Sequence, residues 1–204
     1  LAQRLFDTDG GADDLAYYLL GEGVGLGVLD AGRLVDGADG AATEIGHISI
    51  DVNGRPCECG NVGCLERYCS AVAVHDEIDA RGLVEGSETM THRGAFAALC
   101  AQAAAGDEAA RGLIAEVGTT VGYGCVTIVN GYNPKRIVLG DILAQAGEPL
   151  VEAARAVVRG RVIPELADAT EIRLSTLPDD AAVTGAAAVA ITRLLAEPSL
   201  LARP

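Results

Sequence analysis

Residues 47–66 read HISIDVNGRPCECGNVGCLE. Three of the chain's six cysteines, Cys57, Cys59 and Cys64, fall within eight residues, and His47 precedes the first by ten. Three thiolates and one imidazole make a tetrahedral Zn²⁺ set. Gly54, Pro56, Gly60 and Gly63 let the backbone fold tightly around an ion. Two other readings compete. A disulfide is one, but Cys57 and Cys59 are too close in sequence to pair comfortably, and a trio leaves one thiol over. Three unrelated buried cysteines are the other. Zinc accounts for the spacing and the glycines together, so a structural zinc-binding loop with ligands His47, Cys57, Cys59 and Cys64 is expected. Cys69, Cys100 and Cys125 stand at helical positions and read as small core residues, with Cys69 the one substitute ligand. His75 and His92 have no partner pattern and read as surface or helix residues.

The neighbours of this cluster carry chemistry. Glu44 lies three residues before His47, and Glu66 two after Cys64. An ion tying His47 to Cys64 brings both carboxylates near one point. A histidine that ligates through one ring nitrogen carries its proton on the other, which becomes a fixed donor. Two carboxylates flanking that N–H form a clamp for vicinal hydroxyls, as on a sugar. The plain alternatives are a first-turn helix acid for Glu66, favoured by the dipole, and a solvated loop acid for Glu44.

The rest of the chain bounds the answer. It has 204 residues, half of them hydrophobic, which suits one large domain with a core that buries about 70% of the unfolded surface. Fifteen Lys and Arg against 29 Asp and Glu leave a formal charge of −14. Such a surface repels phosphate backbones and anionic membranes, and no uninterrupted apolar run approaches 18 residues. A soluble, cytoplasmic α/β domain is the expectation. The opening LAQRLFD reads as the tail of an amphipathic helix, so the chain is read as a piece of a longer protein.

Pattern places the elements. Strands are expected at Leu15–Leu20, Val24–Leu29 and Arg33–Val35, with a fourth where 45–50 alternates as IGHISI. Residues 51–63 read as irregular. Apolar residues at Leu113, Val117, Val121, Cys125 and Ile128 line one face of a helix over Gly106–Gly131, capped by Asp107 and stopped before Pro134. Gly118, Gly122 and Gly124 on that helix point to close helix approach, and the helix is a candidate interface between copies. Beyond it come a strand at Ile137–Leu139, a helix at Glu148–Val162, a strand at Glu171–Ser175 and an Ala-rich helix at Ala181–Leu195. A meander followed by alternating strands and helices predicts a mixed sheet flanked by helices.

Taken together, EIGH at Glu44–His47, CECGNVGCLE at Cys57–Glu66, GEGVGLG at Gly21–Gly27 and GADGAATEIGH upstream resemble the signature of the ROK family (repressors, open reading frames, sugar kinases). PKRIVLGD and TGAAAVAI look like that family's final strand and helix. The resemblance implies an actin-like, ribonuclease-H-like mixed sheet, zinc on His47, Cys57, Cys59 and Cys64, and a sugar held by Glu44, His47 and Glu66. It also implies a homodimer or homotetramer. Members are ATP-dependent sugar kinases or sugar-responsive regulators with an N-terminal helix-turn-helix. Three departures bear on the choice. The catalytic Asp of the kinases belongs to a motif upstream of Leu1. The phosphate loop of the kinases usually resembles GTGIGGG, whereas here Glu22 sits among Gly21, Gly23, Gly25 and Gly27. The nucleotide-side Gly-Gly pair reads Gly140-Asp141. Two acids beside a triphosphate are repulsive, roughly 4 kcal/mol for unit charges about 4 Å apart at an effective dielectric of about 20. The expectation is therefore the C-terminal sugar-binding and oligomerisation domain of a ROK regulator, touching DNA only through a missing N-terminal domain and carrying a vestigial phosphate loop. The C-terminal half of a glucokinase-like enzyme is the alternative.

Overall fold

The computed structural model describes residues 2–3, 12–177 and 181–196. The helical tail read at Leu1–Asp7 lies mostly outside them; Ala2 and Gln3 are helical.

Alternation in LAYYLL makes Leu15–Leu20 (β1) the middle of a five-stranded sheet. Ala16, Tyr18 and Leu20 enter the main core on one face, and Leu15 joins a smaller cluster with Leu29 and Val138 on the other. One edge of β1 pairs antiparallel with Val24–Asp30 (β2), which pairs with the short Arg33–Leu34 (β3). The other edge runs parallel to Arg136–Gly140 (β4), and β4 runs parallel to Glu171–Leu174 (β5). Spatial order is β3-β2-β1-β4-β5, the mixed sheet that a meander followed by crossovers requires.

Helices cover it. Glu66–Cys69 (α1) and Ala71–Arg81 (α2) follow the cysteine loop, and His92–Ala105 (α3) precedes the long Glu108–Tyr132 (α4). Glu148–Arg161 (α5), Pro164–Ala169 (α6) and Ala181–Ala196 (α7) complete the chain. Asp107 caps α4, accepting from the Ala110 N–H at 2.8 Å, and Asn133 at φ +45° ends it just before Pro134. Leu113, Val117, Val121, Cys125 and Ile128 of α4 are buried. Length and composition would let α4 cross a membrane, yet more than half of its most apolar window is buried as a core helix.

Two expectations meet the structure here. Gly118 and Gly122 of α4 make the close helix approach expected of them, against α5. A Cβ on Gly118 would lie 2.7 Å from Ala153 Cβ and 2.9 Å from the Leu150 carbonyl, and one on Gly122 2.7 Å from Val157 Cβ. The small-residue face is already used by α5, because removing side chains lets the two backbones approach. Gly118→Val should therefore lower stability by about 1–3 kcal/mol through overpacking. Urea unfolding would read this as a lower midpoint at unchanged slope, and an unmoved midpoint would mean that α5 yields freely. The second expectation fails: residues 45–50 are not a strand. Ile45–His47 is one turn of 3₁₀ helix, and only Ser49 bridges, to Cys64. Gly46 crosses β2 so closely that a Cβ there would sit 2.5 Å from the Val24 carbonyl, so the segment passes over the sheet instead of joining it.

Candidate functional site: a thiol–imidazole corner beside an acidic cavity

The corner is built by backbone first. Thr43 takes a left-handed turn at φ +66° and its hydroxyl donates to the Leu26 carbonyl, which fixes the entry to the 3₁₀ turn that presents His47. Ile50 N–H then donates to Gly63 O at 2.9 Å, Gly63 N–H to Arg55 O at 2.8 Å and Leu65 N–H to Ile48 O at 2.9 Å. Arg55 holds the base of the loop to the helices. Its N–H donates to the Tyr68 hydroxyl at 2.8 Å, its Nη1 to the Arg67 carbonyl at 3.0 Å, and its Nη2 pairs with Glu77. The guanidinium lies 4.9 Å from the Tyr68 ring centroid. Arg55 beside it holds the Glu77 carboxyl below the usual carboxylate range.

At the tip, the ligand atoms of His47, Cys57, Cys59 and Cys64 all lie within 4.8 Å of one another. Cys57 Sγ is 3.7 Å from His47 Nδ1, and Cys59 Sγ is 3.6 Å from Cys64 Sγ. A tetrahedron with metal–sulfur bonds of about 2.3 Å has edges of roughly 3.8 Å, so the set fits a zinc-sized ion without rearrangement. All six cysteines are free thiols, which removes the disulfide reading. Burial, with Cys57 and Cys59 alongside, pushes the Cys64 thiol up to about 12. Facing the cluster with Nδ1 leaves His47 Nε2 as the N–H donor.

A cavity of about 460 Å³ opens beside this corner, walled by Glu22, His47, Glu58, Glu66, Arg67 and Ser70 among others. Glu66 is fixed there because its Oε2 accepts from the Val24 N–H at 2.8 Å. That bond needs Gly23 bare, since a Cβ would fall 2.9 Å from the same oxygen. His47 and Glu66 therefore share one cavity, whereas the exposed Glu44 makes no capping bond and is not among its walls. Glu22, read as a neighbour of phosphate, lines the His47–Glu66 cavity. Of the glycine run, Gly21 and Gly23 lie in the β1–β2 turn and Gly25 and Gly27 within β2.

Asp141 closes the other side of that turn. It holds φ +72° and ψ −153°, a region that glycine alone adopts freely, at a cost of about 1–3 kcal/mol. Its carboxylate lies directly against Gly21 and pairs with Arg93 of α3 at 3.0 Å. The pairing across 48 residues leaves no local signal in the sequence. His75 also departs from expectation: it is buried, with Nδ1 2.8 Å from His92 Nδ1 and Nε2 2.9 Å from the Ser87 carbonyl. The pair joins α2 to α3, and its 17-residue separation hid it. Cys69 and Cys125 are core residues as read, Cys100 is half-buried, and burial raises all three thiols, Cys69 to about 12 and Cys100 to about 11.

The family model described as "ROK family" matches residues 1–193. A glucokinase from Halalkalibacterium halodurans is 33% identical over 187 residues, covering 86% of this chain and 55% of the enzyme. The DNA-binding transcriptional repressor Mlc of Escherichia coli is 30% identical over 191 residues, covering 93% of this chain and 47% of the repressor. The crystal structure of a ROK glucokinase from Streptomyces griseus, in complex with glucose and AMPPNP, superposes with a TM-score of 0.79 at 25% identity, covering 92% of this chain and 64% of that one. The mixed sheet with flanking helices matches that fold. The chain spans about half the length of the two curated relatives.

Proposed function

This chain belongs to the ROK family, and from that premise we propose that it is the sugar-sensing domain of a ROK transcriptional regulator. The observation that carries the reading is the shared cavity of His47 and Glu66, in which an acceptor held by the Val24 N–H and an imidazole donor converge. Such a pair grips adjacent hydroxyls, one as acceptor and one as donor. Zinc on His47, Cys57, Cys59 and Cys64 would fix the imidazole's orientation and, through Cys64, the start of the helix that bears Glu66. Glu44 would contact the same sugar from the rim. Chemistry beyond binding is not asked of these residues.

Two acids weigh against phosphoryl transfer. Asp141 presses a carboxylate onto Gly21, and Glu22 projects from the same turn. Both flank the glycine turn that resembles the family's phosphate loop; the pair with Arg93 partly offsets Asp141, so Glu22 carries most of the repulsion, up to roughly 4 kcal/mol for a like charge about 4 Å away. The alternative, the C-terminal half of an ATP-dependent sugar kinase, draws on the 33% identity with a glucokinase. In the regulator reading, DNA contact belongs to a helix-turn-helix outside these 204 residues, and the protein works as a homodimer or homotetramer. A sugar that swings such a switch from 1:99 to 99:1 must prefer one state by about 5.5 kcal/mol, so the clamp must be whole in one state and broken in the other.

Calorimetric titration of the full-length protein separates the readings. We expect heat on adding a hexose or pentose and none on adding Mg-ATP. Glu66→Gln should weaken sugar binding about tenfold to a hundredfold, the worth of one charge-assisted hydrogen bond. Micromolar ATP binding with phosphate transfer to the sugar would overturn the regulator reading and leave the sugar site standing.

A further inference from the structure

We propose that the cavity selects a basic amino sugar, whose ammonium group is met by Glu22. This rests on the reading of the cavity as a sugar site and names the class of sugar. Glu22, Glu58 and Glu66 contribute three carboxylates to its walls, against the single guanidinium of Arg67. Among the described residues none of the three has an ion-pair partner, and Arg67 has none either, with its Nε enclosed and unbonded. Zinc held by three thiolates and an imidazole would not rebalance the field, because three thiolates outweigh one divalent cation.

Ligand chemistry follows from that imbalance. A phosphorylated or carboxylated sugar is repelled, a neutral one is indifferent to the field, and an ammonium is drawn in. Hydrogen bonding points the same way. Carboxylates only accept, and an ammonium offers three donors where a hydroxyl offers one. Glu22 is exposed on the β1–β2 turn, two residues before the Val24 N–H that holds Glu66, and lines the cavity with Glu66 and His47. Solvent limits what one exposed pair gives to a factor of up to about five, and three carboxylates acting together raise the expected preference to about five- to tenfold.

The test titrates the full-length protein with matched sets: glucose, galactose and mannose, each beside its 2-amino and 2-acetamido forms. Acetylation keeps the nitrogen and removes the charge. In about 0.02 M salt, the amino member of at least one set should bind about five- to tenfold tighter than both of its neutral partners. The gap should shrink in about 0.5 M salt and fall to about twofold or less in Glu22→Gln, whose site on an exposed turn leaves the fold intact by circular dichroism. Equal or tighter binding of the neutral members overturns the inference, as does a preference that survives Glu22→Gln undiminished. Binding of neutral sugars without any preference overturns this inference alone and leaves the sugar site; silence from every sugar overturns both.

Discussion

Replacing Cys59 by Ser should drop zinc from about one ion per chain to a small fraction, and loosen the tip of the 47–64 corner while leaving its base in place. A three-ligand site with a hydroxyl in the fourth position loses most of the affinity that makes structural zinc worth about 10–16 kcal/mol in small peptides. The loosening is local because the base does not depend on the ion. Arg55 is bonded to Tyr68, Arg67 and Glu77, and backbone bonds join Ile50 to Gly63 and Leu65 to Ile48. Residues 57–60 have only the Cys57 N–H to Asn61 O and Gly60 N–H to Cys57 O bonds of their own. Hydrogen exchange should therefore speed up at 57–61 and stay slow at 63–68, and elemental analysis should read the lost ion. Sugar binding should weaken with it, because an unligated His47 is free to rotate. An unchanged zinc content in the Cys59→Ser protein would reject the four-ligand assignment.

That corner was the most legible part of the chain, and the reason is its compactness. Three cysteines and four turn-forming residues within eleven positions report on one another, so spacing alone brings them together. The sheet was nearly as legible where alternation reflects burial on both faces, as in β1, and α4 was plain because its apolar stripe runs for five turns against the core. Reading failed where a partner lies far along the chain. The glycines of α4 announce a close approach, yet only the fold says that Leu150, Ala153 and Val157 of α5 make it. IGHISI alternates like a strand because Ile45 is buried and Ser49 and Ile50 are not, but Gly46 passing over Val24 breaks the ladder. The links His75–His92 and Arg93–Asp141 join α3 to α2 and to the end of β4, and no periodicity encodes them. Helix α6 buries no residue and so left no stripe to find. Glu22 was recognised as out of place in a phosphate loop, while the cavity it lines required the turn and the corner to be seen together.

A second large effect is expected from Gly63→Ala, and its contrast with Gly60→Ala identifies the cause. Both glycines sit in the same loop with positive φ, +72° at Gly63 and +91° at Gly60. Any L-residue in that region costs about 1–2 kcal/mol for the backbone alone. Gly60 has nothing within 4 Å of a Cβ, so its alanine variant should lose about that amount and keep its zinc. At Gly63 a Cβ would overlap the backbone of Asp51, chiefly its carbonyl oxygen, with the carbonyl carbon 2.6 Å away. No side-chain rotation relieves a clash with main chain. The strand-like contact that carries the Ile50–Gly63 bond must part, and with it the bridge that sets Cys64 beside His47. His47 and Cys64 then part from the other two thiols, and Glu66, two residues beyond Cys64, loses its fixed approach to Val24. Gly63→Ala should therefore cost about 3–5 kcal/mol, the range of a clash that packing cannot absorb together with a lost local hydrogen bond. It should abolish both zinc and sugar binding, whereas Gly60→Ala keeps both. If the two variants behave alike in denaturant midpoint and metal content, conformational strain alone governs the loop, and the close packing of Asp51 on Gly63 is not what holds the imidazole, the thiols and Glu66 in one place.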